Sequence, residues 1–295
     1  MNKKNTSGYI AIVFSMLFWG FSFVWTKQLL NNGFPVFTIV FFRLLFASAI
    51  FVTFFKLQGK LERIKKEDFK HFLLLSLFEP FLYFIGENFG LMYVDASFAA
   101  VIIALIPIIV SITMRFSEKV PLRWELLLGT LVSVAGIALM TFGKESTIHF
   151  STKGFLILQI ALFSAAGYSV LLSRLLKKYS PITITTTQNY MAIFFYLPFV
   201  LAFDVRHWGT MAWNGSAIVN LLCLAVFCSA GAYMLYSYAA KQVSITKISV
   251  FTNAIPIVTM IVAAIIGQEI FTMQKLIGIV IVVVGVVLSQ MKLSK

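Results

Sequence analysis

Acidic side chains are scarce in this sequence. Eleven Asp and Glu stand against twenty-four Lys and Arg, and charged residues make up only 12% of 295 positions. Soluble domains carry about 25% charged residues, so this chain cannot present an ordinary water-facing surface. Cysteine is almost missing. Cys223 and Cys228 fall in one apolar run, and five positions along a helix rise about 7.5 Å, too far for a disulfide. Histidine is as rare: His71, His149 and His207 sit at the edges of apolar runs. His71 falls on the opposite side from the other two, so the three cannot share a metal. No metal and no cofactor is expected. No His-Glu-x-x-His, no Gly-x-Ser-x-Gly and no glycine-rich phosphate loop occurs. These absences count against a membrane enzyme and against a pump with its own ATP site.

What fills the chain instead is apolar. Hydrophobic residues reach 60% and the mean hydropathy is +0.92. A bilayer core takes about 20 apolar residues per helix. Ten such runs can be placed, at roughly 8–27, 35–55, 71–93, 96–114, 122–142, 154–173, 181–203, 216–240, 245–266 and 272–291. The first begins after Lys3 and Lys4 like a signal peptide, but it is too long and has no small-x-small cleavage site, so it is read as a span. The connections are short. The longest, 56–70, is a basic amphipathic piece that suits either the membrane surface or a plain solvated loop.

The net charge of +13 would suggest nucleic acid in a soluble protein. Here it follows topology. The segments 3–4, 56–70, 115–123, 174–178, 241–247 and 292–295 alternate with the spans and hold eighteen of the twenty-four basic residues. The positive-inside rule puts them, and both termini, in the cytoplasm. No nucleic-acid partner is expected.

The chain repeats itself. Gly8 and Gly154 open two halves, and Pro35 and Pro181 open the second span of each. Pro107 and Pro256 interrupt the fourth spans, and Glu118 and Glu269 follow them. Gly129 and Gly136 return as Gly278 and Gly285, a seven-residue step that allows close helix packing, within the bundle rather than in a dimer. Five spans per half is odd, so the halves insert in opposite senses. The expected fold is an all-α polytopic membrane protein with ten transmembrane helices as two inverted five-helix repeats, 1–143 and 144–295.

The motifs FWGFSFVWTK, FFRLLFA, GLMYVDASFAAVIIALIPIIV and SEKVPLRWELLLGTLVSVAGIAL, with the later AAKQVSITKISVFTNAIPIVTMI and GQEIFTMQKLIGIVIVVVGVVL, resemble the drug/metabolite transporter superfamily in its EamA-type branch. The resemblance covers nearly the whole chain in two copies. It implies a central substrate cavity and alternating access. It does not fix a substrate, since members carry amino acids, nucleotide-related compounds, drugs and sugars.

Two acids lie inside the third span, Glu79 beside Pro80 and Glu87 further on. Counted from His71 they are about 12 Å and about 24 Å along a helix. With Tyr83 they are spaced i, i+4, i+8, which predicts one stripe. Acids at bilayer depth are costly and default to function, although a purely structural acid is the competing account. Glu79 is the candidate proton-coupling site, because removal from water favours the protonated form of a carboxylic acid. Arg43 sits at a similar depth to Glu87 on the neighbouring span, so these two are expected to pair. On the first span Ser15, Trp19, Ser22 and Thr26 share a face. Gln188 and Asn189 align with Phe42 and Arg43 of the first half, and Tyr236 aligns with Glu87. The candidate substrate contacts are Trp19, Arg43, Tyr83, Glu87, Gln188, Asn189, Tyr236 and Asn253. Within-span Pro80, Pro107, Pro198 and Pro256 leave the carbonyls of Ser76, Ile103, Phe194 and Thr252 to find other partners.

These features add up to a secondary transporter of a small polar metabolite, an amino acid or related zwitterion or cation, driven by protons across the cytoplasmic membrane. Its partners are that substrate, the lipid bilayer and the proton; monomer and homodimer both remain open. A polytopic enzyme and a non-transporting scaffold are the alternatives. Flux in proteoliposomes separates the three.

Overall fold

The computed structural model describes residues 3–94, 96–141, 151–266 and 272–291. The expectations that rest on Lys144, His149, Glu269, Lys292 and Lys295 lie outside them. Ten apolar helices follow one another: α1 Asn5–Asn31, α2 Val36–Leu57, α3 Lys66–Gly90, α4 Ala99–Glu118, α5 Trp124–Met140, α6 Thr152–Leu175, α7 Pro181–Thr210, α8 Gly215–Gln242, α9 Ile245–Val262 and α10 Met273–Gln290. All but α5 are long and apolar enough to cross a membrane by length and composition. No strand occurs among the described residues. The protein is a multi-pass membrane protein, and the ten spans read from the sequence coincide with these helices.

The chain divides into two compact units, and each unit draws on both sequence halves. One comprises residues 1–81 and 171–242; the other comprises 82–170 and 243–295. The first therefore holds α1, α2, the opening of α3, the end of α6, and α7 and α8. The second holds the rest of α3, α4, α5, most of α6, α9 and α10.

Within the second unit, α5 and α10 meet along their paired glycines. A Cβ on Gly136 would lie 2.8 Å from the carbonyl oxygen of Gly278 and 2.8 Å from the backbone nitrogen of Val282. A Cβ on Gly129 would lie 2.5 Å from the backbone nitrogen of Ser289, with the Gly285 carbonyl closer still. Backbone touches backbone only because side chains are absent there. Gly129 faces Gly285 and Gly136 faces Gly278, so the two fifth spans run antiparallel. That is the inversion expected of the repeat. The outer face of α10, with Val280, Val283, Val284 and Val287 exposed, suits acyl chains.

Within the first unit, helix starts need donors' partners, since four N–H groups are left over at each. Ser180 caps α7, accepting from the Thr183 N–H at 3.3 Å, with Pro181 in the first turn. Asn214 caps α8 by accepting from the Ala217 N–H at 2.8 Å. Pro35, ahead of α2, has no side chain to offer. Asp204, from the far end of α7, supplies the cap instead: its Oδ2 accepts from the Thr38 N–H at 2.7 Å and the Thr38 hydroxyl at 3.0 Å.

Among the described residues four helices are broken in matching pairs, and α7 also widens to π geometry over Val200–Asp204. α4 restarts at Ile106 and α9 at Ile255, so Pro107 and Pro256 fall in a first turn, where a missing N–H costs nothing. The Thr252 carbonyl, expected to be orphaned, accepts from the Ile255 N–H in a 3-10 turn. α3 opens with a surface turn, Lys66–Asp68, and its membrane-crossing part starts at Phe69. It is interrupted over Leu77–Leu82, where Glu79 is extended at φ −144, ψ 125. α8 is widened to π geometry over Leu224–Ala232. Glu79 and Cys228 are 149 positions apart, the same offset as Pro107 and Pro256.

Candidate functional site

The interruption of α3 corrects one sequence expectation. Glu79, Tyr83 and Glu87 do not form a helical stripe, because the helix they would share stops at Glu79. Glu79 belongs to the first unit, and Tyr83 and Glu87 belong to the second.

An interruption inside a membrane exposes carbonyls that water cannot reach, so side chains must satisfy them. The sequence points to Ser76; the side-chain donors are found one turn later. Gln188 Nε2 donates to the Glu79 carbonyl at 3.0 Å. The Tyr196 hydroxyl, on a side chain only 1% exposed, lies 3.1 Å from the Pro80 carbonyl and 3.4 Å from that of Phe81. Both donors come from α7, and the Phe81 ring packs edge-on against Tyr196 with centroids 5.2 Å apart. α7 thus holds the gap in α3 open.

The Glu79 carboxylate is part-buried and turns towards α8. The Tyr233 hydroxyl donates to its Oε1 at 3.1 Å. The indole of Trp19, from α1, meets the Tyr233 ring at 5.1 Å and the Tyr236 ring at 5.4 Å. One carboxylate beside three aromatic rings attracts a positive group by charge and by the ring quadrupoles. Tyr233 was not singled out from the sequence: 154 positions separate it from Glu79, and nothing local ties them.

The widened stretch of α8 is held in the same manner. Asn189 Nδ2 donates to the Ser229 carbonyl at 2.6 Å. Arg43 Nε, from α2, donates to the Ser229 hydroxyl at 2.7 Å. Cys228 Sγ lies 3.1 Å from the Phe18 carbonyl. A carbonyl only accepts, so the amide nitrogens of Gln188 and Asn189 must face their carbonyls. Their oxygens, both on fully buried side chains, have no hydrogen-bond partner among the described residues. On α1, Ser15 donates to the Ala232 carbonyl at 2.9 Å, and Ser22 turns back to the Trp19 carbonyl at 2.6 Å.

Six of the sequence candidates therefore fall in the first unit: Trp19, Arg43, Glu79, Gln188, Asn189 and Tyr236. In the second unit, the Tyr83 hydroxyl is 3.5 Å from Glu87 Oε1, at the outer limit of a hydrogen bond. Asn253 is 1% exposed, and neither atom of its amide has a partner among the described residues. No group of three or more His, Cys, Asp or Glu that could hold a metal occurs among the described residues.

Known proteins carry the same plan. The chain is 27% identical to the uncharacterized transporter YcxC of Bacillus subtilis, over 100% of this chain and 96% of that one. It is 25% identical to an uncharacterized transporter of Archaeoglobus fulgidus, over 94% and 96%. A WAT1-related protein of Arabidopsis thaliana is 28% identical over 88% of this chain and 76% of its own length. A solved crystal structure with 16% identity superposes with a TM-score of 0.80 over 97% of this chain and 96% of that one, which establishes the fold. The EamA-like transporter family matches residues 6–142 and again residues 152–291. The chain belongs to the EamA-like transporter family.

Proposed function

We propose that the protein is a secondary active transporter that moves a small polar metabolite, an amino acid or a related zwitterion or cation, by alternating access coupled to protons. It carries its substrate across unchanged. Glu79 is the coupling carboxylate. The observation that carries this reading is a titratable acid at a helix interruption, with the carbonyls around it held by fixed donors from α7. An acid so placed can change protonation without the surrounding backbone having to reorganise. Trp19, Tyr233 and Tyr236 form the aromatic side of the substrate site. Arg43, Gln188 and Asn189 are the further polar candidates of the same unit, and Tyr83, Glu87 and Asn253 are the candidates of the second unit taken by itself. The protein sits in the cytoplasmic membrane with both termini in the cytoplasm, as the distribution of Lys and Arg requires.

The test is Glu79→Gln in proteoliposomes, given an equimolar mixture of amino acids and simple amines read by mass spectrometry. The variant keeps the shape of the side chain and cannot titrate. It is expected to retain exchange of substrate for substrate and to lose accumulation driven by a pH gradient. Accumulation with the wild-type pH profile would make Glu79 a structural acid.

A further inference from the structure

The basic segment 56–70 is neither a loose loop nor evenly charged. All six of its cations, Lys56, Lys60, Arg63, Lys65, Lys66 and Lys70, are exposed. Of its three acids Asp68 is buried, and Glu62, although exposed, is tied to the start of α7. Asp68, its side chain 3% exposed, receives Lys178 Nζ at 2.7 Å and the Tyr179 hydroxyl at 2.9 Å. Glu62 Oε2 accepts from the Ser180 N–H at 2.6 Å, at the start of α7. The backbone is pinned as well: the Glu62 N–H donates to the Thr183 hydroxyl at 3.0 Å, and the Lys65 N–H to the Tyr179 hydroxyl at 3.1 Å. Glu67 stays out, 4.0 Å from Lys65, and offsets one cation. His71 lies 3.9 Å from Asp68.

The Glu62 and Asp68 carboxyls both titrate below their ordinary range. For Asp68 the hydrogen bond from Lys178 is the largest cause. For Glu62 burial pushes upward, and the hydrogen bonds from Ser180 and Thr183 with the charge of Lys241 outweigh it. Both therefore stay ionised and engaged at neutral pH. Apolar side chains flank the cations: Leu57 is 83% exposed and Phe69 is 54% exposed. The segment joins the end of α2 to the start of α3, so this face lies at headgroup level.

We propose that the 56–70 face is a binding surface for anionic phospholipid headgroups, with Leu57 and Phe69 entering the acyl boundary beneath them. A phosphodiester matches exposed Lys and Arg, which a charged membrane surface attracts. Amphipathic surfaces of this kind add the apolar contribution of the flanking side chains. Burying Asp68 against Lys178 takes one local charge that would repel a phosphate off the face, and the Ser180 N–H engages the exposed Glu62. A positive-inside count alone requires cations on this side; it does not require Asp68 beside them to be buried. The proposal is independent of what the protein carries.

The test is thermal unfolding of the full chain in neutral detergent, with micelles containing phosphatidylglycerol or phosphatidylcholine at equal total lipid. Phosphatidylglycerol is expected to raise the wild-type midpoint by a few degrees over phosphatidylcholine, less at high salt. The combined variant Lys60→Gln, Arg63→Gln, Lys66→Gln and Lys70→Gln is expected to lose that difference. Neutralising Arg115 and Lys119, on another basic segment, is expected to keep it. An equal phosphatidylglycerol effect in wild type and the four-site variant overturns the proposal. So does equal stabilisation by inorganic phosphate, which would mean a plain anion site and no lipid surface. If the four-site variant does not fold, Lys66→Gln with Lys70→Gln is read in the same way, with half the loss expected; an undiminished effect there overturns it too.

Discussion

The third helices of the two halves, α3 and α8, fail at the same place and fail differently. In α3 the failure is an extended residue carrying a carboxylate, with three successive carbonyls handed to α7. In α8 it is a widened turn carrying Cys228 and Ser229, with one carbonyl handed to α7 and one hydroxyl to Arg43. Gln188 serves one gap and Asn189, its neighbour in sequence, serves the other. Both gaps fall at equivalent positions of the two halves, and both donors come from α7. The carboxylate stands at one gap only. The two halves share the interruption and differ in the side chain that stands at it, Glu79 in one and Cys228 in the other.

The sharpest way to break this comparison is to make the first gap as acid-free as the second. Glu79→Cys is expected to abolish pH-gradient-driven accumulation, while Cys228→Ala leaves it within about twofold of wild type. Paired flux measurements in proteoliposomes check this, and comparable losses in both would erase the asymmetry. Next in size is Arg43→Ala, which removes a buried charged donor worth about 1.5–3 kcal/mol. A double-mutant cycle with Ser229→Ala should show coupling of about that magnitude in thermal or denaturant unfolding. Additive losses would mean that the 2.7 Å contact carries no energy.

Smaller still is Tyr196→Phe, which takes the donor from the Pro80 and Phe81 carbonyls and keeps the ring packing. It should cost about 1 kcal/mol and also displace the pH profile of transport, since the gap positions Glu79. A stability loss with an unmoved profile would make Tyr196 a packing residue. The smallest effect concerns the surface turn. The Asp68 carboxyl is lowered by the Lys178 hydrogen bond, and the Lys178 ammonium is raised by the same bond. The carboxyl's contribution is complete above the ordinary Asp pKa of about 3.9 and fades as pH falls through its lower folded value. The ammonium's contribution is complete below the ordinary Lys pKa of about 10.4 and fades as pH rises through its higher folded value. Between pH 5 and 9 the pair adds no slope. Asp68→Asn should flatten the acid limb of a stability–pH profile and leave that plateau level.

Much of the frame was legible because membranes impose simple rules. Twenty apolar residues make a span, cations mark a side, and Gly129, Gly136, Gly278 and Gly285 mark a close crossing. Glu79 was legible as a costly acid at bilayer depth. Its surroundings were not. Periodicity assumes an unbroken helix, so it set Glu79 in line with Tyr83 and Glu87, and Pro80 removed the basis for that. Tyr196 and Tyr233 answer demands created by tertiary packing, more than a hundred positions away. A partial signal existed: a proline break in a membrane helix requires donors on its neighbours, and Gln188 and Tyr196 lie on one helix as such donors. Asp204 was hidden for the opposite reason. The clue was the missing cap at Pro35, and an absence does not name its substitute.

The adjacency of Gln188 and Asn189 has a mechanical meaning. Consecutive side chains on a helix point about 100° apart, so each reaches its own neighbour from a common axle. Polar tips about 6 Å from that axis would travel about 2 Å if α7 rolled by about 20°. Hydrogen bonds of 3.0 and 2.6 Å cannot survive that displacement. A roll of α7 would therefore release α3 and α8 in the same stroke, and relaxing either one alone would need a side chain to move instead of the helix. The two gaps are tied to one helix through donors one residue apart.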